Sequence, residues 1–379
     1  MESRNLVYII GNGFDIAHDL PTKYSDFADN LLTEISKRII TNDNSIFTDR
    51  FKENNEFFHS ENQITTRIME SRFNEIFRII KYNQNIDEDL DLYIRKNQNL
   101  LKLIVKNEFL IKLYSNNYKN WFDIENSFFE ELKIIKDELI KIEKDAKERP
   151  FRRENGSTLK NTESEIKKVI KLNNELEDIK NELEKYLKSI NPSLNQTILN
   201  FFFKDTENVN NLLVLDFNYT NTFKIYFEFI EQKVIDYLIP IKIHGSLTNK
   251  DIIFGYGNDK NEHYNEIKNL EIDEFLEHFK TFKYLDSNNY NLTIDFLDSL
   301  DSYEVKVIGH SLQQTDKTLL SRVFNSPKCD KIHLLKRSDL EETEKHKAYR
   351  TLSFALSRII SNEDSLRDTV VNYGETKDF

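Results

Sequence analysis

Sulfur, glycine and long apolar runs are scarce in this chain and positive charge is outnumbered by negative, and each of these excludes something. Cys329 is the only cysteine, so one chain builds neither a disulfide framework nor a four-thiolate zinc site, and a reducing compartment is expected. No apolar stretch has the roughly 20 residues needed to cross a bilayer. The opening Met1-Glu2-Ser3-Arg4-Asn5 runs straight into a short apolar segment without a signal-peptide core. The expectation is a cytoplasmic protein with no membrane partner. The net charge of -12 repels phosphate backbones unless a local basic groove overrides it, which disfavours nucleic acid. The one basic cluster, from Lys147 to Arg153, is interrupted by Glu148 and reads as a solvated loop between helical stretches.

What is present indicates an α/β protein, and 379 residues suffice to bury a full core. Leu6 to Ile10 is a continuous apolar run that ends at Gly11, as a strand buried on both faces does. Similar runs occur at Leu212 to Phe217, Ile239 to Ile243, Ile252 to Phe254, Val305 to Ile308 and Lys331 to Leu335, with gaps long enough for crossover helices. This alternation predicts a mostly parallel, Rossmann-like sheet covered on both faces. The middle differs. From about Thr41 to Pro192 the apolar residues keep helical spacing and no strand is evident. Leu172, Leu176, Ile179, Leu183, Tyr186 and Ile190 step by threes and fours as a heptad seam. A matching stripe runs through Trp121, Ile124, Phe128, Leu132, Ile135, Leu139 and Ile142, with Arg149 to Thr158 as the tip of a coiled-coil-like hairpin. We therefore expect a core of residues 1–40 and 193–379 with a helical insertion at 41–192. The seam either closes within the chain or joins two chains as a homo-oligomer.

Polar residues that follow strands are the candidates for chemistry. Ile10-Gly11-Asn12-Gly13-Phe14-Asp15 breaks a strand into Gly-x-Gly, where backbone amides can approach a diphosphate unobstructed by a Cβ. The third glycine of the dinucleotide fingerprint is replaced by Ile16, but only 8 glycines exist in the chain, and two flank Asn12. Asp15 either caps a helix or faces a ribose hydroxyl, and Thr22 is a natural helix cap. Asp216-Phe217-Asn218-Tyr219-Thr220 ends a second strand with an amide that can hydrogen-bond a ribose, a carboxamide or a water. Ile243-His244-Gly245 and Gly309-His310-Ser311-Leu312 end two more. An imidazole there suits proton transfer near neutral pH, and Asp316 on the following helix can accept from an adenosine ribose. Glu125, one turn after Trp121, is either a solvated carboxylate or a site residue. No histidine cluster has metal-ligand spacing, so no metal is expected.

Ile9 to Asp15 followed by Leu20-Pro21-Thr22-x-Tyr24-x-x-Phe27 resembles the opening signature of the bacteriophage abortive-infection AbiH family. Trp121-x-x-x-Glu125, Phe217 to Thr220, Ile243-His244-Gly245 and Gly309 to Leu312 with Asp316 follow in the same order. That order is also similar to the sirtuin-like NAD-binding domains of bacterial defence proteins. The resemblance implies a sirtuin-like fold and an effector that hydrolyses NAD, with Asn218 and His244 at the catalytic positions. It implies dinucleotide binding by Gly11, Asn12, Gly13, Phe14, Thr22, Tyr219, Gly245, Gly309, Ser311 and Asp316. A phage-derived trigger would be its activating partner. The glycine loop departs from the sirtuin form, Gly-Ala-Gly-Ile-Ser, and the sirtuin zinc cysteines are missing, which removes protein deacetylation. The expected mechanism passes through an oxocarbenium-like state, with Asn218 orienting ribose or water, His244 accepting a proton, and Asp15 and Glu125 stabilising positive charge. The alternatives are a module that senses a nucleotide without turnover, or a nuclease, which would require a basic groove and metal carboxylates.

Overall fold

A computed structural model describes residues 4–31, 107–116, 121–148, 157–249 and 251–379. The elements run β1 (Asn5–Ile10), α1 (Asn12–Ile16), α2 (Glu108–Ser115), α3 (Trp121–Glu148), α4 (Ser157–Lys188), α5 (Gln196–Asp205), β2 (Asn211–Asp216), α6 (Lys224–Glu231) and β3 (Tyr237–Lys242). Then follow α7 (Glu262–Lys268), α8 (Lys280–Lys283), α9 (Asn289–Ser299), β4 (Tyr303–Ile308), α10 (Lys317–Phe324), β5 (Cys329–Leu334), α11 (Glu342–Ser357) and α12 (Glu363–Thr369). The chain divides into two compact units, one of Met1–Thr22, Phe128–Lys141 and Leu187–Phe379, the other of Lys23–Ser127 and Ile142–Tyr186.

The first unit holds a five-stranded sheet in the order β3-β2-β1-β4-β5, with every neighbouring pair parallel. Side chains alternate across a strand, so β1 divides its apolar run between two cores. Val7 and Ile9 face one core with Leu213, Leu215, Val305 and Val307, closed by Leu297 of α9, Leu320 of α10 and Leu356 of α11. Leu6, Tyr8 and Ile10 face the other with Leu212 and Val214, closed by Phe14 of α1, Phe202 of α5 and Tyr226 of α6. Each large side chain withdrawn from water contributes roughly 1.5–3 kcal/mol, which is why β1, buried at every position, reads as an almost unbroken apolar run.

Five of the six expected strands form. Ile252 to Phe254 does not; it is buried loop. The Ile253 amide donates back to the His244 carbonyl at 2.9 Å instead of entering the sheet. Apolar burial without alternation does not separate a core strand from a buried loop.

The second core conceals an ionic network. Lys306 of β4 and Asp205 at the end of α5 pair directly, both almost inaccessible. The Tyr8 hydroxyl donates to Asp205 at 2.8 Å, and Lys377 lies 3.6 Å away. Burial alone pushes the Asp205 carboxyl up, but the Lys306 ammonium outweighs it and holds it below its usual value.

In the second unit, α4 buries Leu172, Leu176, Ile179 and Leu183 of the expected seam, whereas Tyr186 is half-buried. Helix α2 docks onto α4 through one carboxylate. Glu175 accepts the free amides of Glu108 at 2.9 Å and Phe109 at 3.1 Å, and Asn107 donates to its carbonyl at 2.7 Å. A carboxylate at a helix amino end satisfies orphan amides and meets the favourable end of the dipole. Residues 41–106 of the expected insertion, and residues 149–156 of its expected tip, lie outside the described residues.

Candidate active site

Register brings four of the motifs together. Ile10 pairs with both Asp216 and Ile308, and Asp216 pairs with Lys242. Gly11, Phe217, Ile243 and Gly309 therefore begin four neighbouring loops at the carboxyl edge. The strand order reverses between β1 and β4, where open parallel sheets form their ligand crevice.

The glycines are demanded by how tightly these loops cross. A Cβ on Gly11 would lie 2.5 Å from the Cα of His310, and one on Gly13 would lie 2.7 Å from the Cα of Gly309. The Gly11 amide donates to the Ile308 carbonyl at 3.1 Å and the Gly13 amide to the Gly309 carbonyl at 2.8 Å. Both amides expected to cradle a diphosphate are thus occupied by the neighbouring loop. Leu312, buried and bearing a side chain, has φ 54 in the same loop. Such a conformation costs on the order of 1–3 kcal/mol and concentrates at functional sites.

Asp15 organises one half of the edge. It lies inside α1, whose cap is Gly11, so it caps nothing. Its carboxylate accepts from the Thr220 hydroxyl at 2.6 Å and from the Asn218 amide at 3.2 Å. Asn218 gives its other amide hydrogen to the Gly11 carbonyl at 3.1 Å. Both nitrogen-side partners are acceptors, which fixes the amide orientation and leaves the Asn218 oxygen to receive a ligand or water. Beside it, Lys242 pairs with Asp216 at 2.7 Å and donates to the carbonyls of Asn218 and Thr220. Burial pushes the Asp15 carboxyl from 3.8 up to about 6, opposed by the hydroxyls of Thr220 and Thr222.

The sign of that shift gives a test. A carboxyl raised in the folded state favours folding below its unfolded value near 3.8, and this advantage is lost as pH rises through about 6. At about 1.4 kcal/mol per pH unit, keeping Asp15 ionised at pH 7 costs about 3 kcal/mol. Asp15→Asn should therefore raise stability at pH 7 by about 1–3 kcal/mol, with little gain at pH 4. Urea melts at the two pH values read this directly, and equal or lower stability at pH 7 would contradict it.

His244 and Asp316 form the other half. The imidazole Nε2 lies 2.9 Å from Asp316, the fully buried Lys280 ammonium lies 2.8 Å from the same oxygen, and His310 stands 3.6 Å from the other. The Leu312 amide donates to Nδ1 of His310 at 3.0 Å, which places the His310 proton on Nε2, toward Asp316. The Phe217 ring packs edge-on against His244 at 5.1 Å and against His310 at 4.4 Å. Burial, and then the Lys280 charge, pull His244 down to about 4 against the opposing pull of Asp316. Burial would raise Asp316, but Lys280 and His244 hold it well below the ordinary carboxylate range. At neutral pH these directions make Asp316 a carboxylate and His244 a neutral imidazole. With Nε2–H donating to Asp316, Nδ1 of His244 is a bare acceptor without a partner among the described residues.

The other expected site residues scatter. The Phe14 side chain is fully buried against His18, Phe202 and Tyr226 and serves the core. Asn12 donates to the carbonyl of Thr22 at 3.0 Å, which pins the segment after α1. Tyr219 donates to the Ile253 carbonyl at 3.0 Å, with its ring 6.2 Å from His244. Gly245, at φ 73, makes the turn in which the Ser246 amide reaches Asp251 at 2.7 Å. Ser311 is exposed, and Asp316 already accepts from His244 and Lys280 where a ribose was expected. Glu125 is buried on α3 in the second unit. Lys280, Lys242 and Asp216 are additions. A lysine between Ile241 and Ile243, and an aspartate closing an apolar strand, were the available signals; Lys280 had none beyond its apolar neighbours. Among the described residues no group of three or more His, Cys, Asp or Glu is placed to hold a metal ion, and no helix is long and apolar enough to cross a membrane.

Fold and site together define an α/β protein with a five-stranded, all-parallel sheet and a buried ionisable cluster where the strand order reverses. The family model described as bacteriophage abortive infection AbiH matches residues 7–336, and the chain belongs to that family. Membership implies a function in abortive infection by phage. Searches of curated proteins and of solved structures return no match.

Proposed function

We propose that the carboxyl-edge cluster hydrolyses the nicotinamide–ribose bond of NAD, so that abortive infection proceeds through loss of a cofactor the infected cell needs. The observation that carries this reading is the His244–Asp316 pair, an imidazole oriented by a carboxylate with its second nitrogen bare. Support comes from the Rossmann-type order of the strands and from Asn218, whose oxygen is held as an acceptor by Gly11 and Asp15. The glycosidic C–N pair leaves on the nicotinamide nitrogen, and the anomeric carbon becomes an oxocarbenium ion that water attacks. Asn218 orients that water, Nδ1 of His244 takes its proton, and ionised Asp15 offsets the positive charge.

Purified protein incubated with NAD, ATP, DNA and RNA, with products identified by mass spectrometry, tests the proposal. The expected products are nicotinamide and ADP-ribose from NAD alone. Intact NAD after incubation with extract from phage-infected cells as the trigger would overturn it.

One observation favours a sensing module without turnover. With His244 pulled down to about 4, protonating it fully at pH 7 costs about 4 kcal/mol, and an efficient general base lies nearer the working pH. Calorimetry that detects NAD binding without product decides for that reading.

A further inference from the structure

Away from the carboxyl edge, a pocket of about 380 Å³ opens near the amino ends of β4 and β5. Ile294 and Leu297 of α9 form an apolar wall. Arg322 in the last turn of α10, Ser326 beyond it, Lys260 ahead of α7 and Ser361 beyond α11 supply the polar side. The volume lies at the small end of the roughly 300–1,000 Å³ typical of small-molecule sites.

In a chain of net charge -12, Lys260 and Arg322 converge on one concavity, and neither has an ion-pair partner among the described residues. Asp298 is the one carboxylate among the lining residues. Neighbouring Lys317 is held below its ordinary value by burial and then by the Lys260 charge, so three cations stand near the single lining carboxylate, Asp298. Arg322 alone would be explained by its favourable place at the end of a helix dipole. That account does not cover Lys260, which comes from a separate loop, nor the apolar wall opposite.

We propose that this pocket binds a small phosphate-bearing ligand of the mononucleotide class, with the phosphate between Arg322 and Lys260 and the planar base against Ile294 and Leu297. Guanidinium and ammonium groups are the side chains that hold phosphate, and the aliphatic wall suits an unsubstituted ring face. The site is separate from the His244 cluster and stands whether or not NAD is hydrolysed.

Calorimetric titration of the full chain with AMP, adenosine and inorganic phosphate tests it. AMP should bind once per chain, with adenosine and phosphate each at least tenfold weaker. Lys260→Ala/Arg322→Ala and Arg322→Gln should each weaken AMP at least tenfold, whereas His244→Ala should not. Both substituted side chains are exposed, and unchanged thermal melts confirm that the variants are folded. Undetectable AMP binding, phosphate as tight as AMP, or binding lost with His244→Ala but kept without Lys260 and Arg322 would each overturn the assignment.

Discussion

His244→Ala is expected to lower NAD turnover by about 10²- to 10⁴-fold, the usual contribution of a positioned base, while the protein stays folded. The surviving partners make the two effects separable. With the imidazole gone, Asp316 keeps Lys280 at 2.8 Å and His310 at 3.6 Å, so no buried charge is orphaned. Asp316→Asn is the opposite case. It leaves the fully buried Lys280 ammonium without its carboxylate and should lower both stability and turnover. Initial rates of NAD loss beside thermal melts for the two variants separate chemistry from folding. Unchanged turnover in folded His244→Ala would remove the imidazole from the mechanism.

Lys306→Met should be among the most destabilising single changes, because it strands a carboxylate in the core. Asp205 is 1% exposed and Lys306 2%, and removing one partner of a buried pair typically costs about 3–5 kcal/mol. The Tyr8 hydroxyl and the more distant Lys377 remain, which puts the expected loss near the lower bound. Replacing both partners, Lys306→Met with Asp205→Leu, should recover most of it, because a matched apolar pair leaves no charge uncompensated. The pH dependence has a definite sign. Asp205 is held below its usual value, so its contribution is complete above about pH 4 and fades as pH falls through the lower folded value. Urea melts of the two variants at pH 7 check this, and a loss below about 1 kcal/mol in the single variant would contradict the pairing argument.

The sequence is legible where a strand is buried on both faces. Leu6 to Ile10 and, apart from Asp216, Leu212 to Phe217 announce themselves as strands because both faces are buried, which favours apolar residues throughout. Asn218, His244 and His310 stand out because each is the first hydrogen-bonding side chain beyond such a run. Lys306 looks like an interruption of an apolar strand; its partner lies 101 residues earlier on α5, and local pattern carries no such information. Lys280 is opaque for the same reason, with Asp316 36 residues away. The glycine loop is legible in a different way. Gly11 and Gly13 do mark a close backbone approach, and the structure brings the loop after β4 against them.

The central claim is that a dinucleotide lies at this edge with its nicotinamide ribose beside His244 and Asn218. A crystal structure of the His244→Ala protein soaked with NAD tests it most directly. The expected density places the nicotinamide ribose within hydrogen-bond reach of the Asn218 oxygen, across the β1/β4 boundary. Well-ordered NAD bound elsewhere, with the carboxyl edge filled only by solvent, would contradict it.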